Sequence, residues 1–235
     1  MAEISVVPIE RLELTFAPGP WSFAERRRAE IDSFFAQMQR RRSGVWNGRV
    51  LLMRDHEIAG RVLRGRFFET DYASFAAWRA WDCPDDRVFN CFAGVALQAG
   101  DGAFVLGAMS ERTANAGGIY FPCGTPEPAD VVAGAVDLEG NAWRELTEET
   151  GLSRQELEVD GGWHAVVALP YVALLQRARA RQSAAALRGR ILEFLAAQDK
   201  PELADIRIVR GPGDLDPNMP AYVRAYLTHI WAGPG

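Results

Sequence analysis

Arg144-Glu145-Leu146-Thr147-Glu148-Glu149-Thr150-Gly151-Leu152 is the stretch whose reading decides the fold. Glu145, Glu148 and Glu149 stand at i, i+3 and i+4, a spacing that puts all three on one face of a helix. Three like charges on one face repel, so the helix gains no stability from them. A hard divalent cation removes the conflict, because Mg²⁺ takes carboxylate oxygens and keeps waters for substrate phosphates. Gly151 follows the last turn, where a C-cap glycine belongs. A solvated acidic face with a glycine cap would leave the joint placement of Arg144, Leu146 and Gly151 unexplained.

The block resembles the core of the Nudix box, whose family pattern is Gly-x5-Glu-x7-Arg-Glu-U-x-Glu-Glu-x-Gly-U, with U aliphatic. Every fixed position from Arg144 to Leu152 matches. The upstream half departs from the pattern. Counting back from Arg144, the family glutamate falls on Val136 and the family glycine on Asp130. Phe121-Pro122-Cys123-Gly124 resembles the usual Pro-Gly-Gly turn, with Cys123 replacing one glycine. Taking Gly124 as the landmark leaves about six extra residues in the loop before the helix. Asp137 and Glu139 are the candidates to stand in for the missing carboxylate.

The resemblance implies an α/β protein: a Nudix-type α/β/α sandwich with a mixed sheet over residues 88–235. Residues 1–87 would form an N-terminal α+β extension that selects substrate or mediates dimerisation. The implied activity is hydrolysis of the pyrophosphate bond in a nucleoside diphosphate linked to another moiety. A nucleotide sugar comes first, then ADP-ribose or a coenzyme-like substrate. Mg²⁺ is the implied cofactor, with Mn²⁺ as the alternative. Glu148 and Glu149 would ligate the metal directly, and Glu145 would ligate it or orient the attacking water. Arg144 would hold an acidic ligand in place. Gly124 would let backbone approach these carboxylates closely. Arg112 would bring a basic group to the phosphates, and Glu193 or Glu202 would supply any downstream acid. A homodimer is expected by analogy. Val136 and the longer loop motivate the alternative, a Nudix-fold sensor or interaction module that binds a nucleotide without hydrolysing it. The intact acidic triplet argues against it.

Composition sets the frame. The chain has 235 residues and a net charge of −5, so it can bury a sizeable core and carries no global basic footprint for nucleic acid. Lys200 is the only lysine; arginine, suited to phosphate and carboxylate recognition, carries nearly all the positive charge. Cys83, Cys91 and Cys123 lack metal-site spacing and fit free thiols in a reducing, cytoplasmic compartment. No secretory leader is expected from Met1-Ala2-Glu3-Ile4. The longest apolar run, Val166–Leu175, is too short to span a bilayer and contains Pro170. There is no Gly-x-Ser-x-Gly elbow and no Walker A loop, and His56, His164 and His229 are isolated.

Periodicity predicts the remaining elements. Ile4–Val7 and Leu12–Phe16 read as strands, and Ser22 as the cap of one helix running to about Arg42. Val50–Met53 and Ile58–Leu63 read as a hairpin turning at Asp55-His56-Glu57. Asp71–Trp81 reads as an aromatic helix. Phe92–Gln98 and Ala103–Met109 read as strands joined at Ala99–Gly102, with Ile119–Phe121 after them. Asp137 should cap the acidic helix. Strands at Glu156–Val159, Trp163–Leu169 and Ile206–Val209, and helices at Ser183–Gln198 and from Pro220, complete the reading.

Overall fold

The computed structural model describes residues 4–41 and 45–233; Arg42, the expected end of the first long helix, lies outside them. The N-terminal third comprises β1 (Ser5–Ile9), β2 (Arg11–Phe16), α1 (Ser22–Arg26), α2 (Arg28–Arg41), β3 (Arg49–Ala59), β4 (Val62–Asp71) and α3 (Tyr72–Ala80). Then come β5 (Val88–Gln98), β6 (Phe104–Met109), β7 (Ile119–Tyr120), β8 (Cys123–Gly124), β9 (Val131–Val132), β10 (Ala135–Val136) and α4 (Leu138–Thr150). The chain closes with β11 (Glu158–Val159), β12 (Trp163–Ala168), β13 (Tyr171–Arg179), α5 (Ala184–Ala196), β14 (Leu203–Val209) and α6 (Ala221–Ala232).

The class is α/β with a mixed sheet, as the motif implied. The main path of the sheet runs β1-β12-β13-β5-β3-β4-β2-β10-β9 among the described residues. β13 lies parallel to β5, and β2 parallel to β4; the other pairings are antiparallel. β5 is buried along almost its whole length, the mark of a strand covered on both faces. Two contacts show the covering. On α4, Trp143 Nε1 donates to Gln176 Oε1, and Gln176 pairs with Val95 of β5. On α6, Tyr222 meets Phe92 of β5 edge-on at 5.3 Å. Phe92 and Val95 point to opposite faces, so α4 and α6 sandwich the sheet.

β13 was not expected, yet it is central. Its apolar stretch overlaps the run broken by Pro170, and pairing with β5 eighty residues earlier in the chain makes it a strand. β1 pairs with β12, and β3 pairs with β5 at Met53–Phe89, so the N-terminal residues continue the same sheet.

Two local expectations are corrected. The hairpin between β3 and β4 turns at Gly60-Arg61, both with positive φ, and β3 runs straight through Asp55-His56-Glu57. Asp55, also at positive φ, sits where the pairing shifts register, so this segment is a bulge. The first helix is broken at Arg27 into α1 and α2, with Trp21 rather than Ser22 at the N-cap. Arg27 leaves helical geometry to lay its guanidinium over Trp81 at 4.0 Å and to pair with Glu30. The aromatic stripe of α3 is packing: Phe75 and Trp78 are buried against Trp21, Phe35, Leu52 and Phe68.

The acidic helix is tied down by its surroundings. After α4, Glu156 pairs with Arg190 of α5 at 2.6 Å and accepts from the Ser153 N–H at 2.9 Å. The Arg190 contact, then the Ser153 hydrogen bonds, hold the Glu156 carboxyl down to about 2. The native state keeps the ionised form to lower pH than the unfolded chain does. Its stabilisation is therefore full above the ordinary carboxylate range and is lost as pH falls through about 2. Glu156→Gln is expected to be less stable than wild type at pH 6, with the gap closing between pH 4.5 and 2. Denaturant melts of both proteins across that range check it.

Candidate active site

Asp137 caps α4 by accepting the Gly140 N–H at 2.8 Å, and Gly151 ends it in the left-handed conformation at φ 69°. Leu138, Ala142 and Leu146 are buried toward the sheet, which fixes the rotation of the helix. That rotation sends the three glutamates into different environments. Glu148 is exposed, Glu145 is mostly covered, and Glu149 is only 5% exposed.

Arg144 gathers the carboxylates on its side. Its Nη1 donates to Glu145 Oε1 at 3.0 Å and lies 3.5 Å from Glu148 Oε2. Its Nη2 donates to Asp130 Oδ1 at 3.2 Å. Asp130, 8% exposed, also accepts from Asn141 Nδ2 at 3.0 Å and from the Glu127 N–H at 2.9 Å. Asp130 thus buttresses the arginine. The two candidates named from sequence are engaged elsewhere: Asp137 in the cap, Glu139 with Arg154 at 2.6 Å. Val136 is in the hydrophobic core. The extra loop residues form the β9–β10 hairpin, which docks on β2. The sequence marked Asp130 only as the position where the family glycine falls, because its burial and its pairing with Arg144 are tertiary.

Glu149 has no hydrogen-bond or ion-pair partner for its side chain among the described residues. Burial raises its carboxyl well above the ordinary range, and Glu145, Glu202 and Glu148 add to the rise. Burial also pushes Glu145 up to about 7; Arg144 opposes it, while Glu148, Glu202 and Asp130 add. Glu202, just before β14, thus adds to the rise at both carboxylates. Glu193 is exposed on α5 and contributes to neither.

Among the described residues, no three acidic, histidine or cysteine side chains are already gathered as a metal shell. The donor chemistry nevertheless fits a hard cation. A buried, unpartnered carboxylate beside a second one with a raised pKa is an electrostatic conflict that a divalent ion relieves. In the fold, a Cβ on Gly124 would run into the Glu145 carboxylate. Gly124→Ala is expected to leave the fold intact but displace Glu145 from Arg144, lowering turnover by about 100-fold, the scale of an ångström of misplacement. Circular dichroism beside an activity assay checks both halves.

A cavity of about 440 Å³ opens between Gly124 and Cys123 on one side and Asn90, Phe92, Tyr171 and Tyr222 on the other. Arg79 of α3 lines it and donates to Asn115 Oδ1 at 3.3 Å. Arg112 lies exposed in the turn after β6 and is not part of the cavity wall. Sequence reading missed Arg79 because its neighbours on α3 mark that helix as packing. Cys123 Sγ lies 3.8 Å from the Tyr222 hydroxyl, and burial raises its thiol pKa, so it stays a neutral thiol.

No family model matches this sequence, and no curated protein matches it. Among solved structures it is similar to a Nudix hydrolase from M. smegmatis, RenU: 18% identity, 63% of this chain, 91% of that one, TM-score 0.40. A C. elegans Ap4A hydrolase binary complex gives 16% identity over 60% and 96% of the two chains, TM-score 0.42. A MutT protein from Methanosarcina mazei Go1 gives 16% over 61% and 94%, TM-score 0.40. At such levels the reading of the site stands on its own side chains. Among the described residues no helix is long and apolar enough to cross a membrane.

Proposed function

We propose that this protein is a divalent-metal-dependent pyrophosphohydrolase acting on a nucleoside diphosphate linked to another moiety. A nucleotide sugar leads the substrate classes, with ADP-ribose or a coenzyme-like molecule next. The carrying observation is Glu149: a buried carboxylate with no hydrogen-bond or ion-pair partner among the described residues, whose ionisation Glu145, Glu202 and Glu148 oppose.

Mg²⁺, or Mn²⁺, bound by Glu149, Glu148 and Glu145 would neutralise phosphate oxygens and acidify a water. The protein's own groups do the rest. Arg144, braced by Asp130, keeps Glu145 aimed. The bare Gly124 backbone lets a diphosphate approach that carboxylate. Glu202, whose charge acts on both Glu145 and Glu149, would receive a proton or help orient water, in preference to Glu193. Arg79 supplies positive charge at the cavity, and Arg112 remains a candidate for outlying phosphate contact. Residues 1–87 contribute Arg79, which supports their role in choosing the group beyond the diphosphate while residues 88–235 carry the chemistry.

The test is a phosphate-release screen with added phosphomonoesterase. Nucleotide sugars, ADP-ribose, dinucleoside polyphosphates, coenzyme A and nucleoside triphosphates are each run with Mg²⁺ and with EDTA. Turnover abolished by EDTA and concentrated in one class is expected. Silence across the panel in folded, Mg²⁺-binding protein would replace the hydrolase with a nucleotide-binding module.

A further inference from the structure

A second cavity, of about 490 Å³, lies between α1, β3 and the loop entering β5. It shares no lining residue with the cavity that Arg79 borders. Arg26, Arg54 and Arg87 line it, and none of the three makes an ion pair among the described residues. Arg27, also in the wall, is paired with Glu30.

Arg54 is the residue the fold does not explain. It stands directly across from Arg66 in the β3–β4 pairing, and like charges opposed on neighbouring strands are unfavourable. Its guanidinium lies over the buried Phe68 ring at 3.8 Å. Its Nε is buried without a hydrogen-bond partner, and its one hydrogen bond, from Nη2 to the Pro20 carbonyl, is long at 3.4 Å. Nη1 has no partner among the described residues and is not buried, so it is the end that a ligand reaches. Burial lowers the Arg54 pKa; Asp55 and Asp85 oppose that, and Arg66 and Arg87 add to it.

The aspartates in the wall are engaged elsewhere or lie in solvent. Asp55, at positive φ in the β3 bulge, pairs with Arg66. Such a bulge re-aims side chains at the cost of backbone strain. Asp85 accepts from Trp21 Nε1 at 2.9 Å and from the Arg87 N–H at 3.2 Å. Asp86 is exposed and makes no ion pair among the described residues. A guanidinium held by its face on a ring presents its N–H edge to an oxyanion. Three unpaired arginines around one cavity suit a phosphate group, which offers several acceptor oxygens and about two negative charges.

We propose that this cavity, lined by no residue of α4, is a phosphate-binding site in which Arg54, Arg87 and Arg26 take a phosphate monoester or free phosphate.

The experiment is isothermal titration in EDTA at fixed ionic strength, with inorganic phosphate, ribose 5-phosphate and acetate as probes. Wild type, Arg54→Met, Arg87→Gln and Arg79→Gln are compared. Wild type is expected to bind phosphate saturably, tenfold or more tighter than acetate. Arg54→Met, which keeps an unbranched side chain over Phe68, should weaken phosphate binding about tenfold or more, the scale of one hydrogen bond to a charged group. Its melting temperature should stay level or rise, because the opposition to Arg66 is gone. Arg87→Gln, in an exposed loop, gives the affinity readout if Arg54→Met fails to fold. Arg79→Gln should leave phosphate affinity unchanged, because that arginine borders the other cavity. Ribose 5-phosphate binding tighter than phosphate assigns the site to a phosphate monoester, and equal or weaker binding assigns it to free phosphate; either result supports the site. No saturable phosphate binding, acetate binding as tight as phosphate, or unchanged affinity in folded Arg54→Met and Arg87→Gln overturns it. EDTA-sensitive phosphate release, measured separately, reports on the hydrolase reading alone.

Discussion

Glu149→Gln is expected to lower turnover by on the order of 100-fold or more while the melting temperature holds or rises. The two halves have one cause. Glu149 is almost fully buried and has no protein partner, and three other carboxylates oppose its ionisation. A group that is expensive to keep in the native state and satisfied by nothing in the protein is placed for a ligand. Replacing it with the isosteric amide keeps the shape, removes the ionisable group, and takes away an oxygen proposed to ligate the metal. A loss of that order matches removal of one preorganised charge-stabilising group. Thermal melts and Mg²⁺-dependent rates on the same preparation decide it. Near-normal turnover in folded Glu149→Gln would sink the metal assignment, and a large fall in melting temperature would mean the carboxyl is structural.

Asp130→Ala is expected to do the opposite to stability, lowering it by about 1–3 kcal/mol, because it leaves buried donors without their acceptor. Three donors lose their acceptor: Arg144, Asn141 and the Glu127 N–H. Asn141 is itself buried, and its Oδ1 is already without a partner, so it has no other way to satisfy the amide. Arg144, freed of its brace, no longer fixes Glu145, and turnover should fall about tenfold to 100-fold, as when a group orienting a metal ligand is removed. Asp130→Asn retains an acceptor and should recover much of the stability but less of the rate. Urea unfolding with kcat and KM for the three proteins separates the effects. Equal stability of Asp130→Ala and wild type would show that the network is not holding the turn.

The legible parts of the sequence are those decided over short distances. The helix bearing Glu145, Glu148 and Glu149, its Asp137 cap and its Gly151 stop all follow from spacing within one element. Turns were less legible where two signals competed. Asp55-His56-Glu57 looks like a hairpin turn in composition, but Gly60-Arg61 makes the turn and the polar triplet is absorbed as a bulge. The break at Arg27 was hidden because the ring its guanidinium packs over, Trp81, lies 54 residues away in the chain.

By itself the sequence determined the α/β class, the acidic helix and the chemistry that three carboxylates on one face invite. Helical periodicity and capping depend on neighbours a few positions apart, and these the sequence displays directly. Only the tertiary structure decided which carboxylate braces Arg144, that the charge of Glu202 rather than Glu193 acts on the cluster, and that Asn90 and Arg79 share a cavity wall. It also made Tyr171–Arg179 a central strand. Each of these depends on chain closure over many residues, and on burial that changes what a polar side chain costs. Neither is written into local pattern, because a carboxylate or an amide reads the same in sequence whether it ends in water or in the core.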